Sequence, residues 1–327
     1  MLGDRNEVSR IGLGTWAIGG WMWGGTDEQE SIRTIHTAID KGINLIDTAP
    51  VYGFGRSEEI VGKAISQLGS RNKVYLATKV GLEWRDDGVY RNSTPERLRR
   101  ELEDSLRRLQ TDYIDLYQVH WPDPLVPIAD TAATMAEFLK QGKVRYAGVS
   151  NYDPRQMETF QDGCQLHTCQ PPYNLFERAI ERDVMPWCKQ NNVNLLGYGS
   201  LCRGLLSGKM KPDTSFEGDD LRKLDPKFAE PRYGHYLAAV DELDSFARES
   251  FGKRVLHLAV RWALDKGVEV ALWGARRPDQ LDDLAEVTEW SLPRGAKEKI
   301  EAIVDEHVTN PVGPQFMAPP PRPGVGV

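Results

Sequence analysis

The chain has no apolar run long enough to span a bilayer, and residues 1–7 (MLGDRNE) hold nothing resembling the apolar core of a secretory leader. The expectation is a cytoplasmic protein with no membrane partner. Cysteine is scarce: Cys164, Cys169, Cys188 and Cys202 are the whole complement. Cys164, His167 and Cys169 lie close together but lack a second ligand pair at zinc spacing, so no metal is expected and the four read as reduced thiols. Positive charge is also short. Lys and Arg number 41 against 48 Asp and Glu, a net charge of -7. That balance argues against a nucleic-acid surface and against anionic membranes, while leaving room for a local basic pocket. A dinucleotide fingerprint is missing too: Gly12-Leu13-Gly14 is not followed by a glycine-initiated helix, which disfavours a doubly wound sheet.

What is present is an eightfold alternation. Short apolar runs at residues 11–16, 44–53, 74–80, 114–120, 144–151, 168–174, 193–200 and 269–275 read as strands. Helical patterns separate them: one after Asp27 that stops at Gly42, one from about Ser57, one with Pro95 in its first turn running to Leu109, one over 128–140, one from Pro154 and one over 183–190. Further helices flank Gly252 and cover about 278–287 and 294–306. Strands that are continuous apolar runs are buried on both faces and parallel. Eight such βα units predict an α/β fold, a closed (β/α)₈ TIM barrel forming a single domain over residues 1–327. A long polar insertion follows the seventh strand, from Lys209 to about Gly234, and reads as an ordered surface excursion. The proline-rich tail from Pro311 to Pro323 carries Phe316 and Met317, two apolar residues that need a docking place, and is expected to cover part of the barrel mouth.

Four polar groups fall at or just beyond the ends of the second, third and fourth strands: Asp47, Tyr52, Lys79 and His120. Barrels carry out their chemistry at that face. A phenol is a poor acid at neutral pH, with an ordinary pKa of about 10. A neighbouring ammonium stabilises the phenolate, and a carboxylate keeps the ammonium charged and in place. A histidine beside the phenol can position a carbonyl oxygen or share its proton. No Ser or Cys nucleophile is paired with a base, so acyl transfer has no support. Proton donation without a metal suits carbonyl reduction, the hydride coming from a nicotinamide.

With these motifs the sequence resembles the aldo-keto reductase superfamily. Asp47-Thr48-Ala49 with Tyr52-Gly53, Thr78-Lys79 and Gln118-Val119-His120 match its catalytic tetrad. The run GTWAIGGWMWGG at 14–25, HWPDP at 120–124 and QFMAPP at 315–320 make it similar to a bacterial branch of general stress-type reductases and glycerol dehydrogenase or L-glyceraldehyde reductase enzymes. The resemblance implies that Tyr52 is the general acid, Lys79 lowers its pKa, Asp47 pairs with Lys79, and His120 orients the carbonyl. It implies NADPH/NADP+ as cofactor, extended across the barrel mouth. Ser150, Asn151 and Gln170 would hold the nicotinamide carboxamide and Tyr198 would stack on its ring. Gly199, Ser200, Leu201, Arg203, Gly204 and Gly208 would follow the pyrophosphate, and Gly274, Ala275, Arg276 and Gln280 the adenosine end. Thr15, Trp16 and Asp47 complete the expected cofactor set. One position departs from the pattern. Many members carry Glu-Asn where this chain has Asp283-Leu284, and Leu284 has no amide to offer adenine.

Three expectations come from the residues themselves. Trp21, Trp23, Trp84 and Trp121 lie in loops leaving the strands and would wall a substrate pocket for compact carbonyls or polyols. Arg276 and Arg277, where a helix begins after the last strand, would read the 2′-phosphate of NADP. The partner would be a small-molecule carbonyl or polyol substrate, and nothing in the chain demands an oligomer. The competing reading is a nicotinamide-binding regulatory subunit without turnover, against which the intact tetrad weighs.

Overall fold

The computed structural model describes residues 8–69 and 71–323; residues 1–7, on which the expectation about a leader rests, lie outside them. Ten strands are found among the described residues. Two of them, β4 (Leu82–Arg85) and β5 (Gly88–Arg91), form an antiparallel hairpin. The other eight close a parallel barrel: β1 (Ile11–Gly14), β2 (Leu45–Asp47), β3 (Tyr75–Val80), β6 (Ile114–Val119), β7 (Val144–Ser150), β8 (Thr168–Gln170), β9 (Asn194–Gly197) and β10 (Val270–Gly274), with β10 pairing back onto β1. The expected (β/α)₈ architecture is therefore the observed one.

Helices surround the ring. They are α1 (Trp16–Gly19), α2 (Glu28–Asp40), α3 (Arg56–Gln67), α4 (Pro95–Leu109), α5 (Ile128–Lys140), α6 (Pro154–Gly163), α7 (Val184–Gln190), α8 (Arg232–Phe251), α9 (Val255–Asp265), α10 (Ala285–Thr288) and α11 (Arg294–His307). Local chemistry fixes their starts. The Asp27 carboxylate accepts from the backbone N–H of Glu30, and Asp153 and Gln156 close a reciprocal capping box with Pro154 at the first position of α6. Ile32, Ile35 and Ala38 recur at helical spacing along α2 and are buried. Each of the two isoleucines contributes about 1.5–3 kcal/mol of burial free energy. Every residue of β3 and β6 is buried, as strands covered on both faces must be. Leu45, Tyr75, Ala77, Leu116, Leu196, Val270 and Leu272 fill the barrel interior.

The β4–β5 hairpin has no counterpart in the sequence expectation, and several other elements end elsewhere than expected. The second strand stops at Asp47, because Pro50 has no N–H to continue a ladder and Gly55 N closes a turn on Pro50 O at 2.6 Å. The sixth stops at Gln170, before Pro171-Pro172. The stretch 278–287 is not one helix but a 3₁₀ turn, Pro278–Leu281, followed by the single turn α10. Its buried residues Leu281, Leu284 and Val287 recur every three positions, the 3₁₀ period.

The insertion is ordered by charge. Asp225 and Lys227 are buried against Glu177 and Arg203 of the barrel: Arg203 Nε lies 2.6 Å from Asp225 Oδ2, Lys227 Nζ lies 2.7 Å from Glu177 Oε1, and Arg203 also pairs with Glu177. The tail is fastened over the mouth. Arg91 donates from its backbone to Pro320 O at 3.0 Å and from Nε to Pro319 O at 2.6 Å, and Arg322 pairs with Asp123 at 3.3 Å. No helix of the described residues is long and apolar enough to cross a membrane.

Candidate active site

A cavity of about 710 Å³ opens at the carboxyl ends of the barrel strands. Strand register brings the polar groups to it: Gly14 pairs with Asp47, Asp47 with Ala77, and Lys79 with Gln118. Lys79 Nζ lies 2.6 Å from Asp47 Oδ2, 3.0 Å from the Thr48 carbonyl and 3.2 Å from Tyr52 OH. The Tyr52 ring stacks on Trp16, with centroids 5.7 Å apart, and meets the His120 ring edge-on at 5.9 Å. Sequence alone could not show how Tyr52 is aimed. A Cβ at Gly53 would fall 2.1 Å from Gly19 O, so the loop carrying Tyr52 sits directly on α1, a contact that only glycine permits.

Burial governs the electrostatics. Burial works against the charge on Lys79, but Asp47 and then Tyr52 outweigh it and hold the ammonium's pKa above its ordinary value. Burial pushes the Tyr52 phenol up, and the Lys79 ammonium works against that push. The lysine acts in the lowering direction that the resemblance implies, but desolvation outweighs it and the net displacement is upward. Burial, helped by Lys79, holds His120 well below the usual imidazole range, so it is neutral at physiological pH. A neutral imidazole can donate from one ring nitrogen and accept at the other.

Most of the expected cofactor contacts converge on the cavity. Thr15, Trp16, Asp47, Ser150, Asn151, Gln170, Tyr198, Gly199, Ser200, Leu201, Arg203, Gly204, Gly274, Ala275, Arg276 and Gln280 all line it. Ser150 Oγ donates to Gln170 O at 2.6 Å, Asn151 Nδ2 donates to Ser150 Oγ at 3.0 Å, and Tyr198 OH donates to Asn151 Oδ1 at 2.9 Å, so the three strand ends hold one another. The indole nitrogens of Trp16 and Trp23, both at the cavity, are buried and have no hydrogen-bond partner among the described residues. A Cβ at Gly274 would meet nothing within 4 Å, leaving open space for a ligand against that strand end. A nicotinamide dinucleotide fits this donor set and this room.

Several expected contacts are spent elsewhere. Gly208 does not line the cavity; it turns at φ 71° against Val255. Arg203 reaches the cavity, but its guanidinium is committed to Glu177 and Asp225. The N–H groups of Arg276 and Arg277, expected to be free at a helix start, both donate to Gln280 Oε1, at 2.9 and 3.1 Å. Arg277 turns to Asp279 at the surface, whereas Arg276 stays at the cavity, bonded to the Trp23 carbonyl. Trp21, Trp23 and Trp121 line the cavity; Trp84 does not, because it belongs to the hairpin and packs beside Phe54 and under Arg97. Leu284 is buried in the core, and its neighbour Asp283 pairs with Arg254 at 3.2 Å on the cavity wall. Arg254 and, from the insertion, Lys209 and Arg222 are cationic lining residues with no local sequence signal.

Fold and site together define a barrel oxidoreductase. The chain matches the model of the Aldo/keto reductase family over residues 10–305 and belongs to that family. It is 59% identical over 317 residues to aldo-keto reductase YhdN of Bacillus subtilis (strain 168), spanning 97% of this chain and 96% of that one. It is 41% identical to the NADH-specific methylglyoxal reductase of Escherichia coli (strain K12), over 63% of this chain and 68% of that one. Among solved structures, the glycerol dehydrogenase AKR11B4 from Gluconobacter oxydans superposes with a TM-score of 0.87, at 52% identity and 97% coverage of both chains. An aldo/keto reductase from Klebsiella pneumoniae, in complex with NADP and acetate, superposes with a TM-score of 0.70, at 28% identity over 90% of this chain and 91% of that one.

Proposed function

We propose that this single-domain, cytoplasmic enzyme reduces small aldehydes, aldoses and glyceraldehyde-like carbonyls with NADPH, and runs in reverse toward polyols such as glycerol. The observation that carries the reading is the buried Asp47–Lys79–Tyr52 chain opening on the cavity, with 2.6 Å and 3.2 Å links. Tyr52 is the proton donor to the carbonyl oxygen. Lys79 stabilises the phenolate left behind and Asp47 fixes Lys79. His120, neutral, orients the carbonyl. A bound reduced nicotinamide supplies the hydride. Ser150, Asn151 and Gln170 orient it and Tyr198 covers its ring. Four buried, unpaired cysteines are compatible with a reducing compartment. Two relatives, named as a glycerol dehydrogenase and a methylglyoxal reductase, support small oxygenated substrates. A panel of aldehydes, aldoses and polyols assayed with both cofactors tests the reading; bulky steroid ketones turned over in preference to the compact compounds would overturn the substrate class.

Trp23 and Trp121 wall the substrate side. The Arg91 guanidinium lies over the Trp121 ring, 5.4 Å from its centroid. Trp23→Ala and Trp121→Ala are expected to raise KM for the best substrate by about ten- to a hundredfold, given about 1.5–3 kcal/mol for a buried aromatic or apolar side chain. Unchanged kcat/KM across the panel in both variants would remove the wall from this site.

Cofactor choice rests on Arg276. Nicotinamide preference differs among the relatives, one of which is named NADH-specific, so family membership does not fix it. Arg276 offers a planar fork beside Gly274, with Lys209 and Arg222 also on the wall. A charge-assisted phosphate contact contributes about 1.5–3 kcal/mol, so Arg276→Ala is expected to weaken NADPH by about ten- to a hundredfold and leave NADH nearly unchanged. Equal losses for the two cofactors in parallel titrations would show that Arg276 does not read the 2′-phosphate.

A further inference from the structure

We infer that Gln118 is a positioning residue of the catalytic centre: its amide holds Asp47 turned toward Lys79 and keeps doing so when Gln170 is drawn to a ligand. The inference rests on the roles of Tyr52 and Lys79 proposed above. Gln118 is fully buried and does not line the cavity, so it touches no substrate. It lies two residues beyond Leu116, which belongs to the apolar barrel interior. An amide at such a place costs free energy unless it is bonded. Here both ends are bonded. Gln118 Nε2 donates to Asp47 Oδ1 at 3.2 Å, and Gln118 Oε1 accepts from Gln170 Nε2 at 3.3 Å. The neighbouring strand makes room for it: Gly148 pairs with Gln118, and a Cβ there would fall 2.9 Å from Gln118 Cγ.

The two carboxylate oxygens of Asp47 are therefore divided. Oδ2 faces Lys79 at 2.6 Å, and Oδ1 takes Gln118 at 3.2 Å and Gln170 at 2.8 Å. Only Gln170 of the two amides also reaches the cavity surface. A ligand that recruits the Gln170 amide leaves Gln118 as the remaining amide donor on Oδ1. The two neutral donors spread the negative charge over both oxygens. Without Gln118, the charge is drawn toward Oδ2 and pulls the protons of Lys79 away from the phenol oxygen 3.2 Å away. The ionisable groups facing this network are Lys79 from β3, Tyr52 from the loop after β2 and the neutral His120 beyond β6. Weaker support from Lys79 makes Tyr52 give up its proton at higher pH.

Gln118→Met, unbranched and without a donor, is the test. In polyol oxidation Tyr52 must act as the base, so kcat rises with pH to a plateau. The variant is expected to move that limb up by about one pH unit and to lower kcat below the limb by about tenfold. Tryptophan-fluorescence titration with NADP+, which needs no turnover, is expected to show severalfold weaker binding, because Gln170 is then the last amide on Asp47. Leu116→Met on the same strand is the packing control and should leave the limb in place. If Gln118→Met does not fold, Gln118→Leu, which also lacks a donor, carries the test and should move the limb by the same amount. An unmoved limb overturns the inference, whatever the affinity does. If Tyr52→Phe still oxidises polyols at the wild-type rate, the reading of the site fails instead, so the two failures are distinguishable.

Discussion

Tyr52→Phe is expected to keep the fold and the cofactor affinity and to lower kcat for carbonyl reduction by about 10²–10⁴-fold, the contribution of a positioned general acid. The substitution removes one oxygen and leaves the ring. The ring's stacking on Trp16 at 5.7 Å and its edge contact with His120 at 5.9 Å are retained. What is lost is the hydroxyl that bonds Lys79 at 3.2 Å. Burial keeps that hydroxyl protonated at neutral pH, which is the state an acid needs before the reaction. Lys79 then stabilises the phenolate once the proton has gone. Single-turnover oxidation of the reduced cofactor, at saturating aldehyde, reads the loss directly. A variant within a few-fold of wild type would assign the proton to another group.

Lys79→Met is expected to match that loss and to destabilise the fold as well. Lys79 is 1% exposed and Asp47 2%, so the pair is removed from water. Deleting one partner of a buried pair costs about 3–5 kcal/mol, because the other charge is left uncompensated. Gln118 and Gln170 still bond Asp47 Oδ1, so part of that cost is offset. Thermal unfolding of Lys79→Met and of Lys79→Met with Asp47→Asn separates the two effects. The double variant should regain most of the stability and none of the activity. Recovery of activity along with stability would make Lys79 a structural residue only.

The barrel is readable because each strand is a short apolar run that a turn interrupts, and the gathering of Asp47, Lys79 and His120 at one barrel face because each falls at or near a strand end. Tyr52 was readable as a partner of Asp47, but its aim depends on the Gly19–Gly53 contact, which joins two loops distant in sequence. The β4–β5 hairpin was missed although Asp86-Asp87-Gly88 is a turn signal, since its strands are only four residues long and half exposed. That omission put Trp84 in the pocket. Periodicity also gave no warning that Gln280 would cap the backbone beneath Arg276, because side-chain caps depend on the exact turn. Of the insertion's many charges, Arg222 turns to the cavity and Asp225 and Lys227 turn to Glu177 and Arg203; only tertiary packing separates those fates. Gln118 stands in the sequence only as part of the motif that ends in His120, and its bond to Asp47, 71 positions away, has no local signal.

On the function proposed above, a nicotinamide bound in this cavity passes hydride to a compact carbonyl while Tyr52 supplies the proton. The most direct measurement mixes purified protein, in excess over NADPH, with glyceraldehyde and follows the reduced-nicotinamide absorbance through one turnover. Stoichiometric loss of that band in wild type, with glycerol formed and the loss slowed at least a hundredfold in Tyr52→Phe, is the predicted result. A protein that binds NADPH tightly yet leaves the band intact with every aldehyde offered would contradict the account.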